Sequence, residues 1–237
     1  SHGYVDAVFC KTNNIPYSVI NNGISIEEFQ QTDFDFRAKY NITKKNILLC
    51  VSNFFDGKGQ EYLIEVIKKI HEQRDDFVLI FISSTIAYMP GNMKRESLRK
   101  EVERLQLPIM FLNDIPREHV VQSYFASDVF VFPSVQEVAP LVILESMAAE
   151  KPWVSMDVGN VSELEGGIMH FAEKFEDGKS NFNTDMQKKF TNSINYLLDN
   201  KNAAMYLGKA GHKSIMTKYD WNVIKNHYND IFVKTKE

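Results

Sequence analysis

The chain has 237 residues, of which 44% are hydrophobic, so it is long enough to bury a full core as one large or two small domains. Its 27 basic and 31 acidic residues give a net charge of -4, which argues against a protein that binds nucleic acid by neutralising phosphates. No apolar run approaches the length that crosses a bilayer, so we expect a soluble chain. Cys10 and Cys50 lie in apolar, strand-like runs, which favours buried thiols in a reducing cytosol over a disulfide.

The N-terminal part of the chain is predicted to contain two short strands, at residues 5–9 and 18–20, the second of which ends at the turn-forming residues 21–23. The first strand has no partner before it, so we expect the chain to begin partway through a longer protein. Ser25 with Glu28 three residues later fits a capping box, which predicts a brief helix. Residues 33–46 are polar and predict a surface helix and loop.

From residue 47 onward, strands and helices are predicted to alternate. Continuous apolar runs predict strands at residues 47–51, 77–82, 109–112, 129–132, 153–156 and 168–171. Amphipathic runs predict helices at residues 63–70, 93–105, 116–126 and 140–149. Because each strand is apolar along its length, the alternation indicates a parallel sheet covered by helices on both faces. We therefore predict a doubly wound α/β fold, followed from about residue 182 by helices only.

Two glutamates stand out in the stretch from Val131 to Glu163. A strand, an acidic loop with Glu137, a helix with Glu145 and a second strand form a βαβ unit, whose ligands bind at the carboxyl ends of the strands. Along a helix, a spacing of eight residues is roughly 12 Å, too far for two carboxylates to act on one atom. We expect them to hold opposite ends of one elongated ligand with vicinal hydroxyls, such as a sugar and a ribose. The alternative for Glu145 is a solvated helix residue.

Lys58 lies between Gly57 and Gly59, in the loop between a predicted strand and helix. The glycines let the backbone approach a ligand, and the next helix offers free N–H groups and a positive dipole end. An ammonium group in that place suits a phosphate, although a surface lysine in a turn is an equal alternative on this loop alone. The histidines have no metal-ligand spacing, so no metal site is expected.

Four stretches together resemble the retaining GT-B glycosyltransferases that carry two glutamates separated by seven residues. The stretch from Glu137 to Glu145, followed by Ser-Met-Ala-Ala and a strand, resembles that motif. Residues 19–24 resemble the segment that enters the second domain of this family, residues 50–59 its phosphate loop and residues 219–221 its C-terminal crossover.

The resemblance implies the C-terminal, donor-binding half of a GT-B fold, which is Rossmann-like. Residues 1–22 would end a missing N-terminal domain, residues 23–218 would bind the nucleotide sugar, and residues 219–237 would form the crossover helix. The intact protein would be a hexosyltransferase that uses a UDP- or GDP-linked donor, with retention, and a glycan or lipid-linked acceptor. It would need no cofactor and bind no nucleic acid. It would act in the cytoplasm, or at the inner face of the membrane through the missing half, and this chain alone would be inactive.

The resemblance also assigns roles to residues. Lys58 would hold the diphosphate, Glu145 the ribose hydroxyls and Glu137 the donor sugar, which makes Lys58 and Glu137 the catalytic candidates. Backbone amides just after Glu137 would approach the sugar and phosphate, and the segment around Asn113 would lie near the base. The further residues implied to bind the nucleotide sugar are Asn53, Gly57, Gly59, Val138, Ala139, Pro140, Leu141, Val142, Asn113 and Ile115.

Two rival functions stay open at this point. Asn53 stands where the family usually has an arginine, and Val138 stands where glycine is common. Both favour a degenerate, non-catalytic partner domain that keeps the GT-B fold. The second rival is a GT-B enzyme of different outcome, such as a nucleotide-sugar epimerase or a glycogen-synthase-like polymerase. Binding of uridine or guanosine diphosphate sugars tests the first rival, and product analysis on the intact protein tests the second.

Overall fold

The computed structural model describes residues 5–85, 89–171, 173–174, 180–181 and 183–234. Its main sheet contains six strands: β1 (Asn46–Val51), β2 (Phe77–Ser83), β3 (Ile109–Asn113), β4 (Val129–Phe132), β5 (Trp153–Met156) and β6 (Gly167–His170). A separate antiparallel ribbon pairs β7 (Glu173–Lys174) with β8 (Ser180–Asn181). All neighbours in the main sheet are parallel, in the order β3-β2-β1-β4-β5-β6. The predicted doubly wound α/β fold is therefore confirmed.

Helices cover the sheet and form the C-terminal part of the chain. They are α1 (Val5–Thr12), α2 (Phe36–Lys39), α3 (Gln60–His71), α4 (Met89–Arg104), α5 (Arg117–Ala126), α6 (Leu141–Ala148), α7 (Thr184–Asp199), α8 (Lys201–Ser214) and α9 (Trp221–Lys234). Two 3₁₀ turns span Ile26–Glu28 and Val161–Glu163, and a π-helical segment, Ile215–Tyr219, joins α8 to α9. Across the described residues, every helix is too short or too polar to traverse a lipid bilayer.

Both faces of the sheet are buried, which explains the continuous apolar strands. Ile47 and Leu49 of β1 belong to one core, with side chains from α5 and α6. Leu48 and Cys50 belong to the other core, with side chains from α3 and α7. Because successive side chains of a strand point to opposite faces, a strand covered on both sides needs an apolar residue at every position.

The two strands predicted near the N-terminus are wrong. Residues 5–9 lie in α1, where the Thr12 hydroxyl donates to the carbonyl of Val8 at 2.9 Å, and residues 18–20 have no regular secondary structure. Val8 and Val19 are 54% and 48% exposed. A short apolar run does not distinguish strand from helix by itself, and a strand also needs a neighbour whose backbone it can pair with.

The predicted capping box is also wrong. The Ser25 side chain makes no capping hydrogen bond, and the helix it precedes is a single 3₁₀ turn. Glu28 pairs with Arg117 of α5, 2.7 Å away, because the turn packs against that helix. In the segment predicted to be polar surface, α2 has only four residues and Phe36 is buried.

The cysteines differ from each other in burial. Cys50 is fully buried in β1, and this burial raises the pKa of its thiol to about 12. Cys10 lies in α1, not in a strand, and is only partly buried. Both thiols are free.

Candidate functional site

The loops that follow β1 and β4 meet at the carboxyl edge of the sheet. These strands are neighbours at the point where the strand order reverses direction. The backbone N–H of Val135 donates to the carbonyl of Gly57 at 2.8 Å, and the Ser134 hydroxyl donates to the same carbonyl at 3.2 Å. A crevice at such a reversal is where open α/β sheets bind ligands, so the candidate site lies between these two loops.

Gly59 allows the two loops to come this close. Its φ of +74° lies in the left-handed region that favours glycine, and a Cβ there would lie 2.3 Å from the carbonyl oxygen of Pro133. The next residue, Gln60, is fully buried and donates to the Ser52 hydroxyl at 2.8 Å and to the carbonyl of Asn53 at 3.0 Å. Gln60 was not predicted from the sequence, yet its two hydrogen bonds hold the loop after β1 in place.

Lys58 and Glu137 form an ion pair across the crevice. Lys58 Nζ lies 2.5 Å from Glu137 Oε1, and the buried Ser134 hydroxyl donates to the same oxygen at 2.8 Å. The side chains of Lys58 and Glu137 are 25% and 14% exposed, so solvent reaches both. Two residues 79 positions apart are therefore in contact, and the ammonium is paired with an anion. The surface where these two side chains meet, between the loops after β1 and β4, is called the groove.

Glu145 is held by two other residues. The hydroxyl of Tyr124 donates to Glu145 Oε2 at 2.6 Å, and Arg117 Nη2 lies 2.7 Å from Oε1. Tyr124 is fully buried, and this burial raises the pKa of its phenol well above the usual value. The Glu145 side chain is 12% exposed, so the alternative that it is a solvated helix residue is wrong. Its partners differ from those of Glu137, as expected of groups that face different parts of a ligand.

Arg117 also binds the carboxylate of Glu28, in the first 3₁₀ turn. Its Nε and Nη2 atoms donate to the two oxygens of Glu28 at 2.7 and 3.0 Å. The hydrogen bond from Arg117 lowers the pKa of Glu28, and the bonds from Glu28 and Glu145 raise the pKa of Arg117 further above its ordinary value. Arg117 was not predicted, since nothing in its local sequence shows that two distant carboxylates converge on it.

A cavity of about 420 Å³ opens at the carboxyl ends of β1 and β2. Its apolar lining residues are Val51, Ile82, Ile115, Val120 and Val142. Its polar lining residues are Ser52, Asn53, Ser83, Ser84, Asp114 and Arg117. Lys58, Glu137 and Glu145 are not among its described lining residues. The lining does include Asn53, from the loop that carries Lys58, and Arg117, which is paired with Glu145. Mixed apolar and polar walls of this size are typical of a small-molecule site.

Two asparagines predicted to bind the ligand have partners inside the protein. Asn53 Oδ1 accepts from the backbone N–H of Ser84 at 2.9 Å, which ties the loop after β1 to the end of β2. Asn113 lies 3.0 Å from the Ser83 hydroxyl, and its amide oxygen accepts from the Arg95 guanidinium at 3.0 Å when the amide is oriented to satisfy both ends. Asn113 is therefore turned toward α4, whereas Asn53 lines the cavity.

Asp114 follows β3 and lies beside the same cavity. Its carboxylate accepts from the backbone N–H of Thr85 at 2.6 Å and from the Thr85 hydroxyl. These hydrogen bonds hold the pKa of Asp114 below its usual value. An ionised oxygen acceptor therefore lies next to Ile115 at the β3 end of the cavity.

The segment between Glu137 and α6 runs along the groove. Val138 is 73% exposed and its carbonyl accepts from the Asn160 N–H at 3.1 Å, while the carbonyl of Ala139 lies 3.5 Å from the Asn22 side-chain amide. Pro140 is the N-cap of α6, which begins at Leu141. The N–H groups of the first turn of an α-helix, here those of Leu141 and Val142, have no acceptor within the helix.

The structure thus brings several predicted residues to one edge of the sheet. Lys58 and Glu137 are in contact, and Asn53, Ile115 and Val142 share the cavity. Gly57, with φ of +84°, and Gly59 shape the loop, and Val138, Ala139, Pro140 and Leu141 lead into α6. Across the described residues, no three His, Cys, Asp or Glu side chains are arranged to hold a metal ion.

Comparisons with known proteins agree with this fold. A sequence model of the family described as "Glycosyl transferases group 1" matches residues 32–214. The chain is 26% identical over 207 residues to the sulfoquinovosyl transferase SQD2 of Arabidopsis thaliana, covering 85% of this chain and 36% of that protein.

Two solved structures have a similar fold. A glycosyltransferase from Rickettsia africae ESF-5 superposes with a TM-score of 0.79 at 19% identity, over 97% of this chain and 61% of that one. Anabaena Alr3699/HepE in complex with UDP-glucose superposes with a TM-score of 0.76 at 18% identity, over 92% of this chain and 57% of that one. The chain spans 36% and 54% of the length of two curated relatives.

Proposed function

Because this chain belongs to the glycosyl transferases group 1 family, we propose that it binds a nucleotide diphosphate sugar and forms the donor half of a retaining hexosyltransferase. The observation that carries the proposal is the ion pair of Lys58 and Glu137, 2.5 Å apart, at the same edge of the sheet as a cavity of about 420 Å³. A cation for a diphosphate and an anion for hydroxyl groups lie side by side there.

Each part of the donor has a suitable group. Lys58 binds the diphosphate, Glu145 accepts hydrogen bonds from the ribose hydroxyls, and Glu137 accepts them from the sugar. As the glycosidic bond breaks, the leaving diphosphate gains negative charge. Lys58 and the free amides at the start of α6 stabilise that charge without a metal ion.

The base and ribose occupy the cavity beside Ile115, with UDP or GDP as the nucleotide. The similar Anabaena protein has been solved with UDP-glucose, which supports a uridine donor as the first to test. The whole protein would pass the sugar to a glycan or lipid-linked acceptor in the cytoplasm or at the inner membrane face. Several of the relatives found are named as transferases, which does not favour a non-catalytic partner or an epimerase.

An acceptor-binding half would complete the active site, and this chain alone would be inactive. Two observations support that partner. The relatives are about two to three times as long as the aligned part of this chain. Apolar side chains are also exposed on the first and last helices, with Phe9 of α1 at 61% and Phe232 of α9 at 64%. A further domain that packs on these helices would cover them.

Replacing Lys58 by alanine tests the proposal. Loss of a charge-assisted contact should weaken binding of UDP or GDP by roughly 1.5–3 kcal/mol, measured by isothermal titration calorimetry. The matched control is Lys39→Ala, which removes an exposed lysine from α2, remote from the groove, and should leave the affinity unchanged. Equal affinities in the wild type and the Lys58→Ala variant would refute the role of Lys58. A wild-type protein that binds neither nucleotide at millimolar concentration would refute the function.

A further inference from the structure

Arg117 connects two carboxylates from separate parts of the chain. Its Nη2 atom lies 2.7 Å from Glu145 Oε1 and 3.0 Å from Glu28 Oε2, while Nε donates to Glu28 Oε1 at 2.7 Å. The guanidinium carbon also lies 5.6 Å from the ring centroid of Phe29. The bidentate pair with Glu28 therefore fixes the plane of the guanidinium, and Nη2 also faces Glu145.

Glu145 is fixed from two directions as a result. Tyr124 donates to Oε2 at 2.6 Å, and its buried ring packs against Phe29 and Phe130 with centroids 6.1 and 5.5 Å away. Among the described residues, each oxygen of the carboxylate thus has one donor. An ionised carboxylate has about four lone-pair sites, so each oxygen keeps one for a ligand hydroxyl. The two donors set the direction in which those free sites point.

Glu28 is itself anchored to the C-terminal part of the chain. The 3₁₀ turn that carries it begins at Ile26, whose N–H lies 3.4 Å from Asp220 Oδ2. Just before it, Ile24 accepts from the N–H of Trp221 at 3.0 Å and donates to the carbonyl of Tyr219 at 2.8 Å. The position of Arg117 therefore depends on the place where this early segment meets the start of α9.

We propose that Arg117, held by Glu28, is a positioning residue that orients the Glu145 carboxylate for the two ribose hydroxyls. The inference rests on the proposed nucleotide-sugar function, and it explains how Arg117 would make the site prefer ribose over deoxyribose. Without Arg117, Glu145 would keep only the Tyr124 bond and could rotate about it. Its free lone pairs would then no longer match a vicinal diol.

Binding of UDP, 2′-deoxy-UDP and inorganic pyrophosphate to the wild type and Arg117→Ala tests this by calorimetry, with the guanosine analogues used in parallel. The wild type should prefer the ribonucleotide by roughly tenfold, the worth of one hydrogen bond to a charged group. In Arg117→Ala this preference should fall to about twofold or less, while pyrophosphate binds as before. Arg117→Lys keeps the charge but loses the fork, so it should restore the preference only in part.

A Glu145→Ala background separates an indirect role from direct contact. If Arg117 acts through Glu145, adding Arg117→Ala to Glu145→Ala should change the ribose preference no further. The matched control is Arg99→Ala, because Arg99 of α4 also bridges two carboxylates, Glu96 and Glu103, but away from the cavity.

Specific results would overturn the proposal. Equal loss of affinity for UDP and 2′-deoxy-UDP in Arg117→Ala would mean that Arg117 contacts another part of the ligand. An unchanged ribose preference would mean that Tyr124 alone is sufficient to orient Glu145. If the wild type binds UDP and 2′-deoxy-UDP equally well, Glu145 does not bind the ribose hydroxyls. A wild type that binds no nucleotide would refute the proposed function itself, and the inference with it.

Discussion

Replacing Glu137 by glutamine is expected to strengthen the binding of a nucleoside diphosphate that carries no sugar. Glu137 Oε1 lies 2.5 Å from Lys58 Nζ. A diphosphate that binds Lys58 must share the ammonium with this carboxylate, and two anions around one cation repel each other. Glutamine has nearly the same shape but no charge, so the substitution removes the competition without creating a cavity.

The structure suggests an effect of about 1 kcal/mol. A hydrogen bond to a charged group contributes roughly 1.5–3 kcal/mol, whereas an exposed ion pair contributes about 0–1 kcal/mol. The side chains of Lys58 and Glu137 are 25% and 14% exposed, so solvent screens this pair in part and the lower range applies. About 1 kcal/mol is a fivefold change in Kd. UDP-glucose should gain less than UDP, because its hydroxyls lose a charged acceptor.

Calorimetric titration of UDP and UDP-glucose into the wild type and Glu137→Gln measures both effects. The gain for UDP should shrink in about 1 M salt, where the Debye length is about 3 Å. Glu103→Gln is the matched control, since Glu103 is paired with Arg99 at 3.2 Å on the exposed face of α4. Unchanged or weaker UDP binding in Glu137→Gln would refute the competition between carboxylate and diphosphate.

Three further predictions concern stability. Gly59→Ala should destabilise the fold by more than about 1 kcal/mol in urea unfolding, because its Cβ would lie 2.3 Å from the Pro133 carbonyl. Gly57→Ala, with a similar φ but only a flexible side chain nearby, should cost less. Phe190→Ala should cost roughly 3–5 kcal/mol, since Phe190 is fully buried, and a change below about 1 kcal/mol would contradict the packing. Burial lowers the pKa of His170, so its contribution to stability is present above about pH 6.5 and is lost as the pH falls below that value. Between about pH 7.5 and 5.5, the wild type should therefore lose more stability than His170→Gln.

Much of the fold could be predicted because the strands are buried on both faces. The strand β2, Phe77–Ser83, has no exposed residue, and its sequence is apolar from Phe77 to Ile82, so it can be recognised as a strand without knowing its neighbours. The alternation of such runs with amphipathic helices then indicates a parallel sheet. Residues 18–20 show the limit of this reasoning, because they were predicted to form a strand but, in the part of the chain that the structure describes, no strand lies beside them to accept their hydrogen bonds.

Some features of the candidate site could likewise be predicted from the sequence, and others depend on the tertiary structure. Lys58 and Glu137 could be proposed from their loops, since glycines beside a lysine and an acidic residue after a buried strand are local features. Their contact across 79 positions could not, because it depends on β1 and β4 being neighbours in the sheet. The exchange of a family arginine for Asn53 is visible in the sequence, but its hydrogen bond to Ser84 is not.

By itself, the sequence determined which segments form the six strands of the main sheet, because hydrophobic periodicity and turn-forming residues act over a few positions. Only the tertiary structure decided which charges meet. Glu28, Arg117 and Glu145 come from three separate elements, and nothing in the sequence of any one element shows that the three side chains meet. Their network exists because the first 3₁₀ turn, α5 and α6 pack together on one face of the sheet, and the energy of a charge depends on its neighbours in space.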